Sequence, residues 1–413
     1  MSRLIPSLLR DNRAFRVYFA GQSISLLGDQ VSLIALPLVG VLVLHATPAE
    51  MGYLTTVALL PNLLFSLHAG AWVDRRGRRR QTMIAADVAR AALLATIPIA
   101  YAFGALTFAQ LYAVGFLSGV AGVMFNVSSS TLFISLVPRE RFVEANALEN
   151  GSRAASFVGG PSLGGLLVQL LSAPAALIAD AASFLGSALS LARITPDEPE
   201  VEQVERGHLT AGIRYVVRSP IVRPALGAVT TVNFFNFIFF ALFTLYAIRY
   251  LHVQPGVLGV VLGTGAVGGV LGALLTGRIV RRVGVGPAFI LGCVLFPVPL
   301  VLVPVASGPR WVILGCLFLA EFGSGFGVML VDISYGSISA ALVPHRLRAR
   351  VSGAFNLVNY GVRPVGAFVG GLLGSVIGVR ETLWIATVGA IAGFLWLLPS
   401  PMPALKELPE ADL

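Results

Sequence analysis

Apolar stretches of about twenty residues recur from one end of the 413-residue sequence to the other. A helix of about that length spans the hydrocarbon core of a bilayer, which is about 30 Å thick. Hydrophobic residues make up 56% of the chain and charged residues 12%, whereas an average soluble domain has about 45–50% and about 25%. A soluble fold with this balance would lack the charge to cover its surface. The sequence therefore predicts a polytopic helical membrane protein.

Twelve transmembrane helices are predicted from these stretches, with very short connections around Gly104 and Ser172 that pair successive helices into hairpins. The longest polar segment follows the sixth helix, so the twelve helices divide into six and six. The predicted spans are roughly 15–44, 49–72, 82–103, 106–136, 145–170, 174–192, 224–250, 255–277, 286–305, 310–336, 352–377 and 381–399.

The central polar segment also marks the predicted domain boundaries. It begins with the acidic run PDEPEVEQVE and continues through HLTAGIRYVVRSP, which has the pattern of a short amphipathic helix at a membrane surface. The predicted domains are an amino-terminal six-helix bundle at 1–192, a cytoplasmic linker at 193–223, a carboxyl-terminal six-helix bundle at 224–399 and a short cytoplasmic tail at 400–413.

The distribution of positive charge predicts the orientation. Most of the 29 arginine and lysine residues lie in segments on one side of the predicted membrane, and the loops on the other side hold only Arg249, Arg310 and Arg380. Cytoplasmic loops carry such an excess, so both termini are predicted to be cytoplasmic in a multi-pass protein of the plasma membrane, the inner membrane of a bacterium. The net charge of +9 follows from this topology, and no nucleic-acid partner is predicted.

An internal repeat relates the two halves. Leu136-Val137-Pro138 recurs as Leu342-Val343-Pro344, and at the same separation the glycines of helix five recur in helix eleven. Duplicated halves are typical of secondary transporters, which bind substrate near the membrane midplane. The predicted fold class is therefore an all-α membrane protein with two pseudo-symmetric six-helix bundles. The corresponding glycines are Gly160, Gly164 and Gly165 in the first half and Gly366, Gly370 and Gly371 in the second.

Two motifs stand out in the first half. The connection after helix two reads Gly70-x-x-x-Asp74-Arg75-x-Gly77-Arg78-Arg79. Gly70 would allow close helix packing and Gly77 a tight turn, while the acid would pair with or cap a neighbouring helix end. If the loop were only a positively charged anchor on the cytoplasmic side, the arginines would be explained, but the acid and the two glycines would not.

Helix five carries Gly160-Pro161-Ser162-Leu163-Gly164-Gly165. The proline bends the helix, and the glycines allow another helix to approach closely. The alternative is that these small residues serve only for ordinary helix packing.

The first motif resembles the signature loop of the major facilitator superfamily, and the second resembles the G-P-x-x-G-G core found in exporters of that family. Shorter matches, including Asp87 with Arg90, are similar to the branch of macrolide-efflux and siderophore-exporting permeases. The resemblance implies the major facilitator fold, alternating access, and a conformational latch at the loop. Drug exporters of the family often keep an arginine in helix four for proton coupling, but the segment 111–123 has none.

Acids within the predicted helices are the candidates for proton coupling, because an ionised group in hydrocarbon is costly. Asp29 in helix one has no cation nearby on its own helix, so it is the leading candidate. Glu321 and Asp332 in helix ten are the second choice, since helices one, four, seven and ten line the cavity in the resembled fold. Asp87 and Arg90, three residues apart, are predicted to neutralise each other. For Asp29, Glu321 and Asp332 the alternative is a protonated acid that is hydrogen-bonded to a backbone carbonyl. Asp180 in helix six has no local partner, but helix six is usually peripheral in the resembled fold.

The candidate substrate wall combines amides and phenylalanines in helices four and seven. Such a mostly apolar surface with few polar groups suits bulky amphiphiles, although the amides would serve equally well as polar contacts between helices. The candidates are Asn126, Asn233, Asn236, Phe237 and Phe240.

The leading functional hypothesis is a proton-coupled antiporter that exports amphiphilic drugs or natural products. The sequence contains no nucleotide-binding P-loop and no convincing catalytic or metal-binding cluster, so no enzyme activity, cofactor or metal is predicted. The expected partners are the small substrate, protons and the lipid bilayer, and the protein is expected to be a monomer. The alternatives are a lysophospholipid flippase, a nutrient importer and, in a different class, a non-transporting sensor or scaffold.

Replacing Asp74 with asparagine is expected to impair export while the protein stays folded and inserted. The reason is that a lone acid among arginines would break and re-form its contacts between transport states. Export by purified Asp74→Asn at the wild-type rate, measured in proteoliposomes, would contradict the latch.

Overall fold

A computed structural model describes residues 6–196 and 209–407. These residues form helices and short turns without a strand, which agrees with the predicted all-α class. Before the central segment the helices are α1 (Ser7–Asp11), α2 (Arg13–Leu42), α3 (Pro48–Arg76), α4 (Arg79–Ala102), α5 (Phe108–Leu136), α6 (Phe142–Leu170) and α7 (Ala173–Ala192). After it they are α8 (Leu209–Arg218), α9 (Val222–Arg249), α10 (Pro255–Val283), α11 (Val285–Leu295), α12 (Leu302–Val305), α13 (Arg310–Leu342), α14 (Arg348–Val376) and α15 (Val379–Ile391).

One predicted span is broken rather than continuous. Where the sequence predicts a single helix at 286–305, α11 ends at Leu295, and a 3-10 turn at Val298–Val301 leads into α12. Pro297 and Pro299 lie at this break. Proline has no N–H to donate and disturbs the preceding turn of an α-helix, so the break has a local cause.

Eight helical segments are long and apolar enough to cross a bilayer by length and composition. Three of the remaining helices, α3, α6 and α14, have 29 residues each, so they are long enough to cross a bilayer. They miss the criterion because they are too polar. Polar residues in spanning helices are tolerated where they face other protein groups. These helices also contain part of the first motif, the helix-five motif and the second copy of the glycine pattern.

The described residues belong to two compact units. The amino-terminal unit comprises 1–46, 57–204 and 254–260, and the carboxyl-terminal unit comprises 47–56, 205–253 and 261–413.

In the amino-terminal unit, α2 packs against α6 and α7, and α4 packs against α5 and α7. The contact between α2 and α6 depends on glycine. A β-carbon added at Gly160 would overlap the Gln30 side chain, and one added at Gly164 would lie 3.0 Å from the Val31 Cα. The two helix backbones therefore approach as closely as small residues permit.

The carboxyl-terminal unit repeats this contact. There α9 packs against α14 and α15, and Gly366 and Gly370 of α14 lie against Phe234 and Ile238 of α9. The glycines that define the repeat in the sequence thus make the same type of helix contact in both units.

Leucine at position 164 is expected to separate α6 from α2 and to abolish transport, because its side chain has no space beside Val31. Gly159→Leu is the matched control, since a β-carbon at Gly159 meets no described atom within 4 Å. Export and the melting temperature of the purified variants are the measurements. Equal, near-normal behaviour of both variants would show that the close contact is unimportant.

Candidate functional site

Four ionisable side chains from three helices meet in the amino-terminal unit. Asp29 comes from α2, Asp87 and Arg90 come from α4, and Asp180 comes from α7. They meet because α7 packs along both α2 and α4. We call these four residues the acid–arginine cluster.

Arg90 is the centre of this cluster. Its Nη2 forms an ion pair with Asp87 Oδ1, and its Nη1 lies 3.5 Å from Asp29 Oδ1. Its guanidinium carbon lies 4.7 Å from the ring centroid of Phe125 and 3.9 Å from that of Phe184. A guanidinium interacts favourably with carboxylates at its edge and with aromatic rings at its face. The ion pair within α4 was predicted from spacing, and the structure confirms it.

Asp180 is completely buried behind this pair. Its carboxylate is hydrogen-bonded to the hydroxyl groups of Ser32 and Ser183. Space for it depends on Gly28, because a β-carbon there would overlap both the Asp180 carboxylate and the Ser183 hydroxyl. The hydroxyls satisfy a polar group that would otherwise be costly to bury.

For two of these acids the structure shows partners that the sequence did not. Asp29 has no cation nearby on its own helix, as the sequence indicated, but Arg90 of α4 lies beside it. Asp180 was expected to lack a local partner on a helix that is usually peripheral, but Ser183 of its own helix hydrogen-bonds its carboxylate, and α7 packs against both α2 and α4. Spacing along one helix does not show contacts between helices. The glycine immediately before Asp29 was the available signal, because small residues mark close helix approach.

The members of the cluster differ in accessibility. The Asp29 side chain is 44% accessible, whereas that of Arg90 is 7% accessible and that of Asp87 is fully buried. Arg153 of α6 also acts electrostatically on Asp29. The cluster thus has one acid with a partly exposed side chain and two acids whose side chains are buried.

The candidate acids of the carboxyl-terminal unit stand apart from each other. Glu321 of α13 packs against Gly265 of α10, where a β-carbon would lie 3.4 Å from its Oε2. Within the described part of the chain Glu321 forms no ion pair or side-chain hydrogen bond. Asp332, further along α13, lines a cavity of about 140 Å³. Arg363 and Asn359 of α14 line the same cavity.

The candidate residues of the substrate wall belong to both units. Asn233 lines the cavity and donates from Nδ2 to the Val229 carbonyl at 3.0 Å. The Phe237 ring lies 5.8 Å from that of Phe240. Asn236 does not line this cavity, and Asn126 is an exposed residue of α5 in the other unit.

The signature loop forms a tight turn between α3 and α4. Gly77 has a φ of +61°, a conformation that favours glycine. Arg75 and Arg78 are exposed, whereas Arg79 is buried. The Asp74 side chain lies outside the described parts of the structure.

Gly70 does not have the role that the sequence suggested. A β-carbon added there would meet no described atom within 4 Å. Among the described residues, the close helix packing expected at this glycine is therefore not found.

The helix-five motif uses two faces of α6. Gly160 and Gly164 face α2, whereas a β-carbon at Gly165 would lie 3.0 Å from the Gly259 Cα of α10. Pro161 lies inside α6, between these contacts.

Comparisons with known proteins support a transporter fold. The sequence profile of the Major Facilitator Superfamily matches residues 18–367. The multidrug efflux pump Tap of Mycolicibacterium fortuitum is 25% identical over 414 residues, covering 93% of this chain and 94% of that protein. Tap of Mycobacterium tuberculosis is 27% identical over 433 residues, covering 97% and 96%. The crystal structure of a bacterial homologue of the iron transporter ferroportin is 18% identical and shares the fold, with a TM-score of 0.74 over 94% of this chain and 98% of that one.

Arg90→Leu is expected to lower the free energy of unfolding by about 3–5 kcal/mol, because Asp87 would remain buried without its cation. The double variant Asp87→Asn, Arg90→Leu removes both charges and is expected to recover part of that loss. Thermal unfolding of the purified protein in detergent measures both effects. Arg310→Leu, at an exposed position, is the control, and equal stability of the two single arginine variants would contradict this role of Arg90.

Proposed function

The chain belongs to the major facilitator superfamily, and we propose that it exports amphiphilic compounds in exchange for protons. It is a membrane transporter and not an enzyme. Relatives that match it over nearly their whole length are named multidrug efflux pumps. These names support export of small molecules, and the acid–arginine cluster supports coupling to protons.

The charge balance of the cluster is the observation that carries the proposal. Three carboxylates, those of Asp29, Asp87 and Asp180, lie around one guanidinium group, that of Arg90. The charge of Arg153 acts on Asp29 and also on Glu149, so it does not belong to this cluster alone. With every group ionised, the four residues of the cluster carry two more negative charges than positive ones. Uncompensated charge at membrane depth is costly, so the cluster favours taking up a proton. Asp29 is the natural place to exchange it, because its side chain is the accessible one.

Protonation of Asp29 would change the contact between α2 and α4. When Asp29 is ionised, Arg90 is attracted to carboxylates on both helices. When Asp29 is protonated, its carboxyl group is neutral and attracts the Arg90 guanidinium much less. Arg90 then forms an ion pair with Asp87 alone. A proton at one accessible position would thus loosen one inter-helix contact, and alternating access requires an element of this kind with two arrangements. The loop at 70–80 and the glycines of α6 are proposed as the latch and the packing surface in this cycle.

The energy from one proton is sufficient for drug export. Entry down a potential of about 100 mV and a gradient of about one pH unit releases roughly 3.7 kcal/mol. This corresponds to a concentration ratio of a few hundred, roughly, for an uncharged substrate exchanged with one proton.

Asp29→Asn is expected to abolish substrate-dependent proton movement and uphill export while sparing substrate binding. Asparagine keeps the size of the side chain but cannot exchange a proton at neutral pH. The measurement uses proteoliposomes with an internal pH dye and a panel of tetracycline, erythromycin and ethidium. Asp11→Asn is the matched control, since Asp11 is an accessible acid in α1, outside the spans.

Two results would count against this assignment. Coupled transport that survives in Asp29→Asn would exclude Asp29 as the site of exchange. If coupled transport also survives in the double variant Glu321→Gln, Asp332→Asn, Asp87 and Asp180 become the next candidates for proton exchange.

A further inference from the structure

The cavity in the carboxyl-terminal unit is lined by both polar and apolar side chains. It measures about 140 Å³ and lies among α9, α11, α13 and α14. Its polar lining residues are Asn233, Asp332, Asn359 and Arg363. Its apolar lining residues are Val229, Val232, Cys293, Phe296, Val328 and Val331.

The two charged residues of this cavity interact without touching. Asp332 and Arg363 attract each other electrostatically, but no ion pair or hydrogen bond joins them in the part of the chain that the structure describes. Their formal charges cancel, so the cavity has no net charge to neutralise in a ligand. A ligand that reaches both groups would satisfy each with its preferred partner.

Arg363 has its faces covered and its edge available. Its guanidinium carbon lies 4.1 Å from the ring centroid of Tyr360 and 5.2 Å from that of Phe237. Because the aromatic rings lie at the faces of the guanidinium, its N–H groups, which point outward in its plane, are available to donate hydrogen bonds to a ligand. The Arg363 Nε atom is buried and has no hydrogen-bond partner among the described residues.

The amide groups of the cavity complete a set of free acceptors. The Asn359 Oδ1 atom is buried and has no donor in the described structure. The Asn233 amide nitrogen is occupied by the Val229 carbonyl. Asp332 adds a carboxylate that accepts hydrogen bonds. A complementary group must therefore donate to Asn359 and Asp332 and accept from Arg363, and buried polar atoms left without such partners are costly.

The internal repeat indicates that this cavity does not reproduce the acid–arginine cluster. In the register that aligns Leu136 with Leu342, Cys293 stands at the position of Asp87 and Phe296 at that of Arg90. Both replacements lie in the cavity wall. The ion pair of the first half is thus replaced by uncharged side chains beside an open space in the second.

We infer that this cavity binds an uncharged end group of the exported compound that has two N–H donors beside a carbonyl acceptor, as a primary carboxamide has. The inference rests on the proposed export function and names the chemistry of its substrate. Its space of about 140 Å³ equals roughly five water molecules at about 30 Å³ each. It therefore holds an end group, and the rest of the amphiphile lies outside it.

The test compares two fluorescent probes on the purified full-length protein. Dansylglycinamide has a primary amide, and dansylglycine N,N-dimethylamide keeps the carbonyl but has no amide donor at that end. Titration of dansyl fluorescence is expected to show at least tenfold tighter binding of the primary amide to the wild type. Asn359→Leu is expected to abolish this preference, whereas Asn356→Leu, one turn away at an exposed position, should keep it.

The wild-type comparison is sufficient to overturn the inference, so it does not depend on whether a variant folds. Equal affinity for the two probes, or binding of neither, would show that the cavity does not recognise a primary amide. A preference that persists in Asn359→Leu would place the amide elsewhere. These results do not test the proposed export function. That function is tested separately in the proteoliposome experiment, which measures proton-coupled transport and uses neither dansyl probe.

Discussion

A guanidinium group buried among transmembrane helices is the constraint on which the amino-terminal unit depends. Arg90, like other arginine side chains in proteins, keeps its positive charge, and in an apolar interior that charge must be compensated. Helices α2 and α4 provide the carboxylates, and α5 and α7 provide the aromatic rings. Four helices are thus fixed around one side chain, and a change of charge at its accessible partner, Asp29, reaches all of them.

The two halves share their packing and differ in their chemistry. Glycines of α6 and α14 make the same kind of backbone contact with the first long helix of each unit. The side chains that fill the corresponding space are mostly ionisable in the first half and mostly uncharged in the second. A duplicated scaffold thereby permits one unit to exchange protons and the other to hold a polar end of the substrate, which is the division of labour we propose.

Part of the site could be predicted because it is local. Asp87 and Arg90 are three residues apart on one helix, so the 3.6-residue period places them side by side. The turn at Gly77 was also predictable, since the left-handed conformation favours glycine. The positions of Asp29 and Asp180 relative to Arg90 were not, because they depend on how α7 packs along α2 and α4. The role assigned to Gly70 was wrong for the same reason, since close packing requires a neighbour that the sequence does not name.

The sequence by itself determined that this protein is a helical membrane transporter. Apolar length, positive-charge asymmetry and the internal repeat are properties of single segments, and bilayer thickness and the hydrogen-bonding needs of the backbone act on each segment separately. Only the tertiary structure decided which buried charges share a partner and where a polar cavity remains. Those outcomes depend on helix rotation and on distances of a few ångströms between segments far apart in the chain, and close packing, not hydrophobicity, sets these distances within a bilayer.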